Sequence, residues 1–182
     1  MGRCRVDRRT FLKRAFLTLV EAPILFSLFG KADAKTDGGA PPTPIEPLKK
    51  PNKEWQKLLP PESYRVLFEE ATERPFTSPL NKEKREGLYI CAACYLPLFP
   101  SDTKYDSKTG WPSFFKPLPG RIGTQIDFKL VFPRTEYHCI RCEGHQGHVF
   151  DDGPPQTGQR YCNNGVALRF VPKEEPLPPL RT

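Results

Sequence analysis

Five of the six cysteines and all three histidines of this 182-residue chain lie between residues 91 and 162. Thiol, metal or proton-transfer chemistry is therefore concentrated there. Cys91-Ala92-Ala93-Cys94 and Cys139-Ile140-Arg141-Cys142 form two C-x-x-C pairs with 44 residues between them. Each pair lets two thiolates approach one ion from a tight turn. Two pairs complete a tetrahedral sulfur shell, which zinc fills without redox chemistry. Such a shell leaves no open coordination position, so the zinc it implies is structural. Two other readings use the same sulfurs: disulfides in an oxidising compartment, or one C-x-x-C as a redox dithiol.

Cys4 falls in an N-terminal export-like segment, which leaves Cys162 as the unassigned thiol. Its context is Gly158-Gln159-Arg160-Tyr161-Cys162-Asn163-Asn164-Gly165. In an extended strand Arg160 and Asn164 share the face of Cys162, because side chains alternate. A guanidinium there lowers a thiol pKa, and an amide offers donors to a polar group. A buried core cysteine fits the same residues. The run His145-Gln146-Gly147-His148-Val149-Phe150-Asp151-Asp152 adds two imidazoles that could pass a proton to a reacting oxygen. Asp152 could orient one of them. A second metal site or a solvated strand end remains open on spacing alone.

These side chains need a scaffold. Tyr64, Leu67, Phe68 and Ala71 recur on one helical face, and Pro61 suits a first helical position, so a helix is expected over 61–71. Pro60 before it offers no side-chain acceptor to cap that start. Beyond Pro75 come short apolar runs: Leu88–Ile90, Phe128–Phe132, Glu136–His138 and Val166–Val171. Short runs divided by Gly and Pro predict antiparallel strands in a mainly β domain braced by the helix. The 22 Pro and 13 Gly limit regular helix further.

The formal charge of +7 is unevenly spread. Residues 1–34 carry seven Lys/Arg against three Asp/Glu; the remainder is only +3 and lacks a basic stripe interleaved with aromatics. Nucleic acid is not expected as a partner. Arg8-Arg9-Thr10-Phe11-Leu12-Lys13, the apolar stretch 15–30 and Ala32-Asp33-Ala34 read as a twin-arginine signal with a cleavage site. The stretch is shorter than the ~20 residues of a spanning helix. The membrane is thus met only through export to the periplasm, with an uncleaved anchor as the other reading. Residues 35–51 read as a linker, 52–172 as the folded domain, and 173–182 as a mobile Pro-rich tail.

Taken in order, Thr72-Glu73-Arg74-Pro75-Phe76, the two C-x-x-C pairs, Gly110-Trp111-Pro112-Ser113-Phe114, the 145–152 segment and Arg160-Tyr161-Cys162-x-Asn164 resemble the methionine-R-sulfoxide reductases, the MsrB family. The resemblance covers about residues 53–172. It implies two antiparallel sheets of the β-tent type with short N-terminal helices, and reduction of methionine-R-sulfoxide. It implies that Cys162 attacks the sulfoxide sulfur and becomes a sulfenic acid. His145 and His148 would supply protons, Arg160 would favour the thiolate, and Asn164 would hold the sulfoxide. Trp111 and Phe150 would wall the substrate methyl group. Many members carry a resolving cysteine where this chain has Thr109, so an external reductant, thioredoxin-like or another thiol, is expected. Asn163 and Gly165 also depart from the usual residues and put the rate in question. The resemblance implies oxidised methionine as substrate, in proteins in preference to free. Two other readings are a non-enzymatic zinc-containing ligand-binding module on the same scaffold, and a zinc hydrolase using His145 and His148. The first has no use for a thiolate with proton donors; the second lacks a ligand set.

Overall fold

In the computed structural model, residues 45–129 and 132–182 are described; the signal region 1–34 and residues 35–44 of the expected linker lie outside them. Among the described residues two short helices, α1 (Asn52–Leu58) and α2 (Pro61–Glu69), precede nine strands. Pro60 at the N-cap of α2 supplies no side-chain bond, as its chemistry dictates, and Glu70 ends the helix in the left-handed region. Trp55 of α1 stacks on Phe68 of α2 at 5.3 Å, and α2 buries Tyr64, Val66 and Leu67. The first helix carries no strong apolar stripe and is held by that stacking.

The strands β1 (Gly87–Cys91), β2 (Pro97–Pro100) and β9 (Leu168–Pro172) form an antiparallel sheet in the order β2-β1-β9. A second antiparallel sheet runs β3-β4-β8-β7-β6-β5, from β3 (Lys104–Tyr105), β4 (Ser113–Phe114), β8 (Arg160–Asn163), β7 (His145–Phe150), β6 (Arg134–Cys139) and β5 (Ile122–Asp127). The expected mainly β fold of two antiparallel sheets with short N-terminal helices is therefore what forms. The sheets meet through aromatic rings. Phe99 of β2 stacks on Phe114 at 4.3 Å and meets Tyr137 edge-on, while Tyr89 of β1 meets Phe114 edge-on. Tyr137, Phe114 and Tyr161 occupy one face of the larger sheet. Alternation sends their neighbours Glu136, Ser113, Arg160 and Cys162 to the other.

Several expectations are corrected. The apolar run Phe128–Phe132 is not a strand where it is described. The Asp127 carboxylate accepts the Lys129 amide at 2.8 Å, a turn that ends β5. Phe128 and Phe132 are then left 73% and 80% exposed. Residues 165–167 form a 3-10 turn before β9, because the Glu73 carboxylate holds the amides of Gly165 and Val166. The end of the expected linker packs on the domain: Ile45 and Leu48 lie against the core, and the Leu48 amide donates to Arg141 O at 2.6 Å. The tail expected to be mobile is anchored too. The Arg181 amide donates to Cys94 O, Arg141 donates to Arg181 O at 2.7 Å, and the Arg181 guanidinium lies over the Tyr95 ring. No helix among the described residues is long and apolar enough to cross a membrane.

Candidate active site and metal centre

The two C-x-x-C segments fold alike. Cys91 ends β1 and Cys139 ends β6. In each the residue after the second cysteine, Tyr95 or Glu143, takes a positive φ and donates its amide back to the first cysteine's carbonyl at 2.9 Å. All four sulfurs lie within 4.8 Å of one another, with Cys91–Cys142 at 3.7 Å and Cys94–Cys139 at 3.5 Å. These separations far exceed the ~2.05 Å of a disulfide. They approach the ~3.8 Å edge of a tetrahedron with ~2.3 Å zinc–sulfur bonds. Burial and the adjoining sulfurs push the Cys91 thiol well up, so four thiolates here require a cation. The donor set fits zinc. The cluster clips the smaller sheet to the larger one.

The larger sheet aligns the remaining site residues in one row. Tyr105 opposes Ser113, Ser113 opposes Cys162, Cys162 opposes His148, and His148 opposes Glu136. Residues opposed across adjacent strands share a face. Two positions along, Arg160 opposes Phe150 on that same face. Gly147 permits the close approach of β7 to β8, since a Cβ there would fall 1.9 Å from Cys162 O.

Cys162, half-buried, opens into a cavity of about 110 Å³ lined also by Trp111, His148, Phe150, Asn164 and Arg134. The sequence expectations for Trp111, Phe150, His148 and Asn164 thus converge. His145 stands behind, its ring 5.4 Å from that of His148.

Two expectations change. Asp152 does not orient a histidine; both its oxygens pair with Arg160, at 2.7 and 2.9 Å. The orienting carboxylates lie on other strands, Glu136 on the adjacent β6 and Asp127 on β5 beyond it, where no local spacing announces them. Asp127 accepts from His148 Nε2 at 2.9 Å and from Arg134 at 2.7 Å, and Glu136 accepts from His145 Nδ1 at 2.6 Å. The Cys162 thiol is also not lowered overall. Burial pushes its pKa up, and the Arg160 charge with hydrogen bonds from Thr109 and Arg160 pulls against that. Burial likewise pushes His148 down, with Asp127 opposing. Arg160 lies over the Phe150 ring at 4.2 Å, so it braces that ring as well.

Glu73 is a further residue that local reading missed. Its carbonyl accepts from the Trp111 indole at 3.1 Å, and its amide donates to Asn164 Oδ1 at 3.0 Å. Asn164 also donates to Gln146 O at 3.0 Å, so most of its amide is engaged within the protein. Asn163 is fully buried and accommodated, accepting from the Tyr137 hydroxyl at 2.7 Å and donating to Asn164 O at 2.8 Å.

Comparison with known proteins gives the family. Residues 59–172 match the SelR domain family. A protein of Agrobacterium fabrum named peptide methionine sulfoxide reductase MsrB is 50% identical over 126 residues, 69% of this chain and 93% of that protein. A protein of the same name from Hahella chejuensis is 48% identical over 127 residues, 69% and 91% of the two chains. One from Methanosarcina barkeri is 48% identical over 129 residues, 70% and 91%. The match to the family model over residues 59–172, with relatives at 48–50% identity, means that the chain belongs to the SelR-domain family of MsrB methionine sulfoxide reductases.

Proposed function

We propose that the chain is a peptide-methionine (R)-S-oxide reductase that returns methionine-R-sulfoxide to methionine, with Cys162 as nucleophile. The observation that carries this is the opening of Cys162 into a small cavity between an indole, a phenyl ring and an imidazole. Its volume is that of about three or four liquid waters. That suits a terminal methyl sulfoxide and little more.

In this reading Trp111 and Phe150 receive the methyl group and Arg134 points charge toward the sulfoxide oxygen. The Cys162 thiolate attacks the sulfoxide sulfur. The oxygen, with one proton, passes to Cys162, whose sulfur loses two electrons as the substrate sulfur gains two. Methionine leaves, and Cys162 is left as a sulfenic acid. Asp127 holds His148 through Nε2, which leaves Nδ1 for proton exchange. Burial pushes the His148 pKa down, which favours a neutral ring that takes a proton before giving one. Arg160, clamped by Asp152, favours the thiolate.

Thr109 occupies the place where many relatives carry a resolving thiol, and the other described cysteines form the four-sulfur cluster. An external thiol, thioredoxin-like or otherwise, therefore condenses with the sulfenic acid and releases water. A second thiol then frees Cys162 with formation of the external disulfide. Zinc in the four-cysteine cluster serves structure alone. The N-terminal pattern supports twin-arginine export to the periplasm, where fractionation of full-length and Arg8→Lys/Arg9→Lys chains would test it. Separated R and S epimers should show turnover of R only. Mass spectrometry after one turnover should find a sulfenic acid on Cys162; an intramolecular disulfide there would overturn the one-cysteine cycle.

A further inference from the structure

The turn Cys91–Cys94, the first cysteine knuckle, is closed by chain from beyond the matched domain. The family match ends at residue 172. Residues 173–182 then leave β9 and return to the four-sulfur cluster. At the near end the Lys173 amide donates to Glu86 O at 3.0 Å, just before β1. At the far end the Arg181 amide donates to Cys94 O at 3.1 Å. Between them runs Pro176-Leu177-Pro178-Pro179-Leu180. Its prolines narrow the unfolded ensemble, so docking this segment loses less chain entropy.

Arg181 holds the knuckle by its side chain as well. Its guanidinium lies 4.4 Å over the Tyr95 ring and donates to the Tyr95 hydroxyl. Arg169 of β9 lies over the same ring at 4.9 Å. Tyr95 has a φ of 65°, a conformation that a bulky side chain adopts rarely and at a cost. Its amide closes the knuckle by donating to Cys91 O at 2.9 Å. Two guanidiniums therefore hold in place the strained residue on which the turn depends.

Arg141, between Cys139 and Cys142, joins this to the second knuckle. Its Nη1 donates to Arg181 O at 2.7 Å and to Cys94 O at 3.4 Å. Tail, first knuckle and second knuckle thus meet at one buried guanidinium. The cysteines they surround are closed to solvent: Cys91, Cys94 and Cys139 are 0% exposed and Cys142 is 5% exposed. A competing ligand reaches such sulfurs only when a knuckle opens.

We infer that residues 173–182 are a strap that locks the four-cysteine centre against metal exchange. Arg181 fastens it, and Arg141 is the positioning residue that receives it. For Cys91 or Cys94 to swing off a bound zinc, the Tyr95 turn must move, and the strap must undock first. The inference rests on zinc in the cluster and is independent of the sulfoxide chemistry at Cys162.

The test is isotope exchange on the full zinc-loaded chain. The protein is mixed with excess zinc of a different stable isotope, and the bound isotope is followed with time by mass spectrometry. Exchange leaves the site loaded throughout, so apo protein does not accumulate. Truncation after Lys173 should raise the exchange rate about tenfold or more, the size expected for losing two hydrogen bonds and a cation–π contact. Arg181→Ala keeps the backbone bonds and should raise it less. Arg141→Met removes the ties to Arg181 O and Cys94 O and should raise it too. Unfolding in urea is followed on the same loaded chains. Exchange at the parent's rate after truncation overturns the strap. So does exchange that rises only in step with global unfolding, which would assign the tail to general stability. If the truncated chain fails to fold, Arg181→Ala decides, and an unchanged rate there overturns the inference equally. A parent purified without zinc would sink the metal centre and the strap together; a loaded parent indifferent to its tail would sink the strap alone.

Discussion

Cys162 and His148 oppose each other on adjacent antiparallel strands. Such pairs hold their Cβ atoms about 4.5–5.5 Å apart on one face, so the sheet ladder itself sets the proposed nucleophile beside the proposed proton carrier. Neither depends on a loop for its placement. Cys162→Ser should abolish reduction of methionine-R-sulfoxide, with the melting temperature and zinc content of the parent. His148→Ala should lower kcat about 100-fold or more, the scale of general acid–base catalysis, with KM little changed. A variant whose loss lay wholly in KM would assign His148 to binding instead.

Asp127 sits at the end of β5 and reaches across to His148 Nε2 while taking the Arg134 guanidinium and the Lys129 amide. Those contacts hold its carboxyl well below the usual carboxylate range. Burial depresses His148, and the Asp127 charge offsets part of that. Asp127→Asn removes the anion and keeps an acceptor, so His148 should gain its proton only at lower pH. Activity that needs the imidazolium should then fall away at lower pH than in the parent. The pH profile of kcat/KM checks this; an unmoved profile would separate Asp127 from the proton path.

How much of this was legible in the sequence follows from where the partners lie. The four zinc-type cysteines and the thiol with Arg160 two residues away announce themselves by local spacing. The row joining Cys162, His148 and Glu136 does not, because strand pairing sets it. Local proximity even misleads: Asp152 is near His148 in sequence but serves Arg160, whereas Asp127, 21 residues away, holds the ring. The same applies to Glu73, 91 residues from the Asn164 it bonds. In the fold, Leu88–Ile90 and Glu136–His138 read correctly as strands because the β-formers are buried there. The run from Phe128 misreads because one Asp carboxylate capping the Lys129 amide outweighs strand propensity. The two-residue strands β3 and β4 offer too few side chains for any pattern.

Glu136 gives a pH-dependent stability. It is 2% exposed and accepts from His145 at 2.6 Å and His138 at 3.2 Å. Burial pushes its pKa up, yet the hydrogen bonds from His138 and His145 bring it down to about 2 from 4.5. A depressed carboxyl stabilises the fold above its unfolded pKa and loses that contribution as pH falls through the folded value. His138 is raised above 6.5, chiefly by its bond to Glu136, so its share is complete below 6.5 and is lost as pH rises through the folded value. The two shifts describe one interaction and are not added. Glu136→Gln should therefore cost most between about pH 5 and 6.5, up to about 3 kcal/mol. The gap to the parent should close toward pH 2. Urea titrations of both proteins across pH would read it, and a gap constant with pH would deny the carboxylate this part.

The metal centre predicts the largest stability effect. Cys91 and Cys94 belong to the smaller sheet's end, Cys139 and Cys142 to the larger sheet's, so one ion held there would span both. The backbones on either side add to this: Leu48 bonds the second knuckle and Arg181 the first. A structural zinc site contributes about 10 kcal/mol or more in small domains, comparable to a whole domain's stability of about 5–15 kcal/mol. Cys91→Ser, or prolonged chelation of the parent, should release one zinc per chain and leave a protein without a cooperative melt near the parent's. Cys162→Ser should keep both the zinc and the melt, which ties the effect to the cluster and not to thiols in general. A Cys91→Ser chain that retained stoichiometric zinc and the parent's melting temperature would place the metal, and the clip between the sheets, elsewhere.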